Sequence, residues 1–178
     1  MGRPRKHKSK TTESKRILSI EALRRIAKAA KAPRFGGDLV DPVFARGTVF
    51  HDRLGIIHSI FREELDSVVF KSRSIAEINR RKTIMLKHVD QLKMSLGIMD
   101  DATWLPYVAL APIIRRIKRK NEGFRIAADA AKMALHIALH RTILAVRAGV
   151  GLNSHHGVKT LHTRDVINAG KICANYPQ

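Results

Sequence analysis

Apolar residues recur at helical spacing along most of the chain, and the breaks between them lay out one order of elements twice. Ile20, Leu23, Ile26 and Ala27 fall three or four apart while Arg24, Arg25, Lys28 and Lys31 take other faces. That spacing predicts a short amphipathic helix with Ser19 as its N-cap. Pro33, Gly36, Gly37 and Pro42 then enforce a loop that runs to about residue 50. Ile57, Ile60, Phe61, Leu65, Val68 and Val69 resume the rhythm with no proline among them, which predicts a long helix over about 52–79. At 1.5 Å per residue it would span roughly 40 Å. A basic turn follows, then a short helix over about 85–96 with Gly97 in the stop position.

The order then restarts. A linker over 98–103 leads to a helix over about 105–118, with Pro106 in its first turn, where proline is tolerated. After a loop at 120–123 comes a second long helix, about 125–152, broken by the glycines at 149, 151 and 157. A second basic turn and a closing helix over about 164–174 complete the unit. Lys82, Thr83, Lys87 and Val89 of the first turn return as Lys159, Thr160, Arg164 and Val166, an offset of 77 residues. A long helix with a short one at each end leaves apolar surface across its middle, so neither unit closes on itself. Two long helices crossing head to tail would bury those faces against each other. Such a crossing also sets the loop of one unit beside the basic turn of the other at both ends, where amides, a threonine hydroxyl and a cation suit a phosphate.

Composition narrows the partners. The chain has 178 residues, 44% of them hydrophobic, and a formal net charge of +19. A core is therefore within reach, and a polyanion, nucleic acid first and an acidic membrane surface second, is the natural partner. The apolar run over 126–150 carries Asp129, Lys132, Arg141 and Arg147, too many charges for a membrane span. The opening MGRPRKHKSK leads into no apolar stretch, so it reads as a basic disordered tail over 1–16 rather than a secretory signal. The single cysteine, Cys173, can form no internal disulfide. A soluble intracellular protein is expected. His155, His156 and His162 with Cys173 fit no standard zinc spacing, so no metal is expected. Glu63 and Glu64 read as a solvated helix face, and Trp104 and Phe124 as packing anchors. No nucleophile elbow or Gly-rich phosphate loop occurs, so neither enzyme activity nor a cofactor is expected.

Several stretches together resemble two fused core histones. Ala22-Leu23-Arg24-Arg25-Ile26-Ala27-Lys28 and Arg80-Arg81-Lys82-Thr83-Ile84 are similar to the first helix and second loop of histone H-four. Leu105-Pro106-Tyr107, Phe124 with Ala127-Ala128, and Thr160 with Asp165 are similar to stretches of histone H-three. The tandem order resembles the histone doublets of giant DNA viruses. The resemblance implies an all-α chain of two tandem histone folds, short–long–short, joined as an intramolecular handshake pseudodimer. It divides the chain into a tail (1–16), a first fold (17–97), a linker (98–103) and a second fold (104–178).

The resemblance also implies a function: a structural chromatin protein that wraps and compacts double-stranded DNA without reading its sequence, as the tetramer-equivalent core of a nucleosome-like particle. The implied DNA contacts are Arg24, Arg25 and Lys28, then Arg34 or Arg46, which an insertion of roughly fourteen residues leaves as alternatives. They continue with Arg80, Arg81, Lys82 and Thr83, and in the second half Arg125, Lys159 and Thr160, with Arg116 compensating for first-helix arginines that are Ala109 and Pro112 here. Pro112 is expected to kink its helix. The family's second-loop brace, an arginine paired with an aspartate seven residues on, has lost one member in each half: Arg81 faces His88, and Asp165 faces Val158. His155, Asp165 and Lys171 match a self-association interface, which implies that two copies join through their C-terminal halves. Partner histones, or a second doublet of the other two types, would complete a particle. The implied location is chromatin, in a host nucleus, a viral factory or a virion. Two other readings remain open at this point: a histone-fold subunit of a transcription or replication complex, and a basic RNA-binding protein.

Overall fold

A computed structural model describes residues 17–39, 55–98, 108–157 and 159–175, with backbone alone at 38 and 170–175. The basic tail, Arg46 and most of the loop insertion, Trp104 and the Leu105-Pro106-Tyr107 stretch, and the side chains of Lys171 and Cys173 lie outside the described residues. Among the described residues six α-helices carry the fold: α1 (Ile20–Ala29), α2 (Ile56–Ile78), α3 (Leu86–Ser95), α4 (Leu110–Lys120), α5 (Ala128–His155) and α6 (Thr163–Asn175). Four two-residue strands join them: β1 (Arg34–Phe35), β2 (Thr83–Ile84), β3 (Arg125–Ile126) and β4 (Thr160–Leu161). The architecture is all-α, short–long–short written twice.

Local chemistry sets the helix ends. The Ser19 hydroxyl accepts a hydrogen bond from the Ala22 amide at 3.1 Å, capping α1. At the far end of α2 the chain reverses at Arg80, whose φ of 53° is left-handed, and the Arg81 amide donates back to the Ala76 carbonyl at 2.9 Å. α3 ends the same way, at Gly97.

Boundaries in the second half differ from expectation. The fourth helix begins at Leu110, so Pro112 is its third residue, where no intrahelical N–H partner is needed, and the helix runs on unbroken to Lys120. Arg125 is not in the long helix. Its amide and that of Ala127 donate to the Lys82 and Ile84 carbonyls, both at 3.0 Å, and this pairing holds 125–126 extended. Gly149 and Gly151 do not break α5, which continues to His155. Gly149 has a packing role instead: a Cβ there would lie 3.1 Å from the Val166 Cα, so its bare face admits α6.

The strands define the handshake. β1 pairs with β4 and β2 with β3, both parallel. The end of each long helix therefore lies beside the start of the other, and α2 and α5 run head to tail along each other. Phe61, Leu65 and Val68 of α2 and Leu135, Ile137 and Ile143 of α5 belong to one core that also takes in Leu23, Ile26, Ile113 and Ile117 from the short helices. Burial of this shared surface is what each half lacks alone. Polar contacts cross the same boundary. The Arg116 guanidinium grips Asp66 with both ends, its Nε at 3.0 Å from the carboxylate, and Lys120 lies 3.3 Å from it. Arg141 pairs with Glu64, and Arg147 donates to the Ala29 carbonyl at 3.3 Å, at the negative end of α1.

Candidate nucleic-acid interface

The two strand ladders build matching ends on the molecule. In one, Thr83 stands in register with Arg125; in the other, Thr160 stands in register with Arg34. Each end thus joins an exposed arginine from the first loop of one half to a Lys-Thr pair from the second loop of the other. Lys82 and Lys159 are exposed, while Thr83 and Thr160 are half-buried. Neither threonine hydroxyl bonds to another described residue. Cations surround both ends: Arg80, Arg81 and Lys87 at the first, Lys31 and Arg164 at the second. At the first end Arg80, Lys82, Thr83 and Lys87 line a cleft whose one acid is Asp129. Lys31 and Arg80 both hold left-handed backbone, at φ of 61° and 53°, where glycine is the easier residue.

Both turns use one hydrogen-bond plan with different chemistry. In the second half the Asp165 carboxylate accepts the His162 amide at 2.8 Å. In the first half the equivalent residues are His88 and Met85, and His88 Nδ1 accepts the Met85 amide at 3.1 Å. Asn153, buried near the end of α5, adds a further tie: its Nδ2 donates to the Thr160 carbonyl and to Asp165, each at 3.0 Å. The missing arginine–aspartate braces are therefore replaced by an imidazole in one turn and an asparagine–aspartate pair in the other. His88 is buried beside Lys87 and Arg81, and desolvation first, then these cations, lowers its pKa below the usual 6.5.

The other expected residues fall elsewhere on the fold. Arg24, Arg25 and Lys28 lie exposed on α1, opposite its buried Ala22, Leu23, Ile26 and Ala27; Arg25 is also paired with Glu21 at 3.3 Å. Arg116 joins neither end. Its side chain is only 12% exposed and is spent on Asp66, so it is corrected from a DNA-facing residue to a tie between halves. Asp165 braces its own turn through Asn153 and the His162 amide, and His155 is exposed at the end of α5. Glu64, expected to be solvated, is held by Arg141. Phe124 is a packing residue, its ring 4.5 Å from the Arg73 guanidinium carbon.

Asn153 escaped the sequence reading. The available signal was a buried-face polar residue in an apolar helix, seven before Thr160. Among the described residues, no three His, Cys, Asp or Glu side chains gather as a metal site, and no helix is long and apolar enough to cross a membrane.

Short helix, long helix, short helix, paired head to tail through parallel two-residue ladders, is the histone fold, present twice in this chain. The chain is similar to the crystal structure of the histone from Methanopyrus kandleri, with a TM-score of 0.61 and 19% identity over 85% of this chain and 92% of that one. Coverage of that extent takes in both halves, and at that identity the likeness is one of fold. No family model matches the sequence, and no curated protein matches it.

Proposed function

We propose that this chain is a histone doublet that wraps and compacts double-stranded DNA without reading its sequence. The observation that carries the proposal is the matching pair of ends, Arg125 with Lys82-Thr83 and Arg34 with Lys159-Thr160. A duplex offers phosphates at regular intervals, and a fold with the same cationic turn at both ends suits a backbone that follows it from one to the other. In this reading Arg34 and Arg125 enter the minor groove, Arg80, Arg81 and the turns meet flanking phosphates, and Arg24, Arg25 and Lys28 meet the backbone between. The formal charge of +19 supports the same partner. The register of Arg34 favours it over Arg46 as the loop arginine. No chemistry beyond binding is part of the proposal, and it includes neither a cofactor nor a catalytic role.

The halves, similar to histone H-four and then histone H-three, make one doublet equivalent to half of a central histone tetramer. Two copies would join through their C-terminal halves, with His155, Asp165 and Lys171 at the contact, and partner histones or a second doublet would extend the particle. Work in chromatin, whether in a nucleus, a viral factory or a virion, follows from the same proposal.

Binding measured over a range of salt tests the electrostatic part. Log affinity should fall linearly with log salt, at about 0.9 per phosphate neutralised. Lys82→Ala with Lys159→Ala should reduce that slope by about 2 and weaken binding alike on unrelated sequences. A flat salt dependence, or equal competition by structured RNA, would contradict the proposal.

A further inference from the structure

Glu64 and Arg141 stand 77 residues apart, the offset that relates the two halves, so they hold the same position on the two long helices. They meet each other near the middle of α2 and α5, with Arg141 Nε donating to the Glu64 carboxylate. An ion pair between equivalent positions forms only when the paired halves are unlike. Two first halves joined in the same handshake would set Glu64 against Glu64, and two second halves would set Arg141 against Arg141. With the Glu64 side chain 22% exposed and that of Arg141 40%, like charges there would meet with much of their water removed.

A pair away from the crossing acts in the same sense. Arg116 is 12% exposed and held on Asp66 of α2. The position equivalent to Asp66 on α5 is Ile143, which is 2% exposed. Two second halves joined together would bring Arg116 onto an isoleucine and leave a nearly buried guanidinium with no carboxylate.

We infer that Glu64 and Arg141, supported by Asp66 and Arg116, determine pairing specificity: each half accepts its opposite and rejects its own kind. The symmetry of the fold gives this rule a consequence. A chain pairing like with like must take its partners from other chains: it closes only when one second chain supplies both contacts, and otherwise links into longer species. Opposite pairing is satisfied within one chain. The charges at the crossing therefore keep a tandem protein from linking to other copies of itself as it folds.

The test uses the full chain without DNA, so it stands apart from the proposed DNA function. Glu64→Gln with Arg141→Gln removes the attraction and both repulsions. Glu64→Arg with Arg141→Glu keeps opposite signs but exchanges them. Each protein is refolded from denaturant at high concentration and sized by light scattering, with the unsubstituted chain as the baseline for association through any other face. The neutral variant should place several-fold more chains in species above that baseline, and the exchanged variant should stay at it. The exchanged variant should also melt about 2–4 °C above either single charge reversal, both of which put like charges at the crossing. A neutral variant that sizes like the parent, or an exchanged variant that melts no higher than the single reversals, overturns the inference. Should the neutral variant not refold, the comparison of melting temperatures decides alone.

Discussion

His88 shows how one side chain can carry a turn and make it sensitive to acid. Its neutral Nδ1 accepts the Met85 amide, and burial with Lys87 and Arg81 nearby keeps its pKa below 6.5. Protonation turns that acceptor into a donor and breaks the bond. The folded pKa is lowered, so the stability it contributes is fully present above the ordinary value and is lost as pH falls through the folded one. His88→Asp would accept the same amide and gain Arg81 and Lys87 as neighbours. We expect it to melt several degrees above the parent at pH 7, with a gap that widens between pH 7 and 5. A gap that stays constant in a thermal melting series would show that His88 does not titrate against the turn. The sequence revealed that both braces were incomplete. It did not reveal the substitutes, because an imidazole acceptor and a buried asparagine follow no fixed spacing and depend on where the backbone comes to rest.

Elements were more legible than their ends. Apolar spacing located all six helices, since a core-facing stripe is imposed by burial whatever the caps. The errors fell where tertiary pairing overrides local preference: Arg125 is drawn into a ladder by Lys82 and Ile84, and α5 runs on past two glycines. Those glycines separate the two meanings a helical glycine can have. Gly149 faces the Val166 backbone at 3.1 Å, whereas nothing lies within 4 Å of a Cβ at Gly151. Gly149→Ala should destabilise the protein by about 1–3 kcal/mol through overpacking. Gly151→Ala should stabilise it by up to about 1 kcal/mol through helix propensity. Chemical denaturation of the two variants checks this, and equal effects would refute the close approach of α6 at Gly149.

For the molecule as a whole, the offset of 77 residues was the most informative feature, because it announced two copies of one unit before any contact was known. The exposed cations of the two ends were also legible, since Lys82-Thr83 and Lys159-Thr160 repeat in sequence. The allotment of other charges was not. Arg116 reads as a DNA contact in the sequence, yet it binds Asp66 of α2, as Arg141 binds Glu64, and both join the halves. A charge run says that cations are present, and only the packing says which of them are free to meet a phosphate.

The proposed function asks more of the matching ends than charge neutralisation: it requires that DNA follow one defined path from one to the other. Nuclease digestion of a long DNA assembled with this protein, alone and with partner histones, tests that most directly. Ordered wrapping predicts a discrete protected fragment under at least one of the two conditions, with a length independent of the DNA sequence used. A smear under both would mean charge-driven coating and would contradict the account.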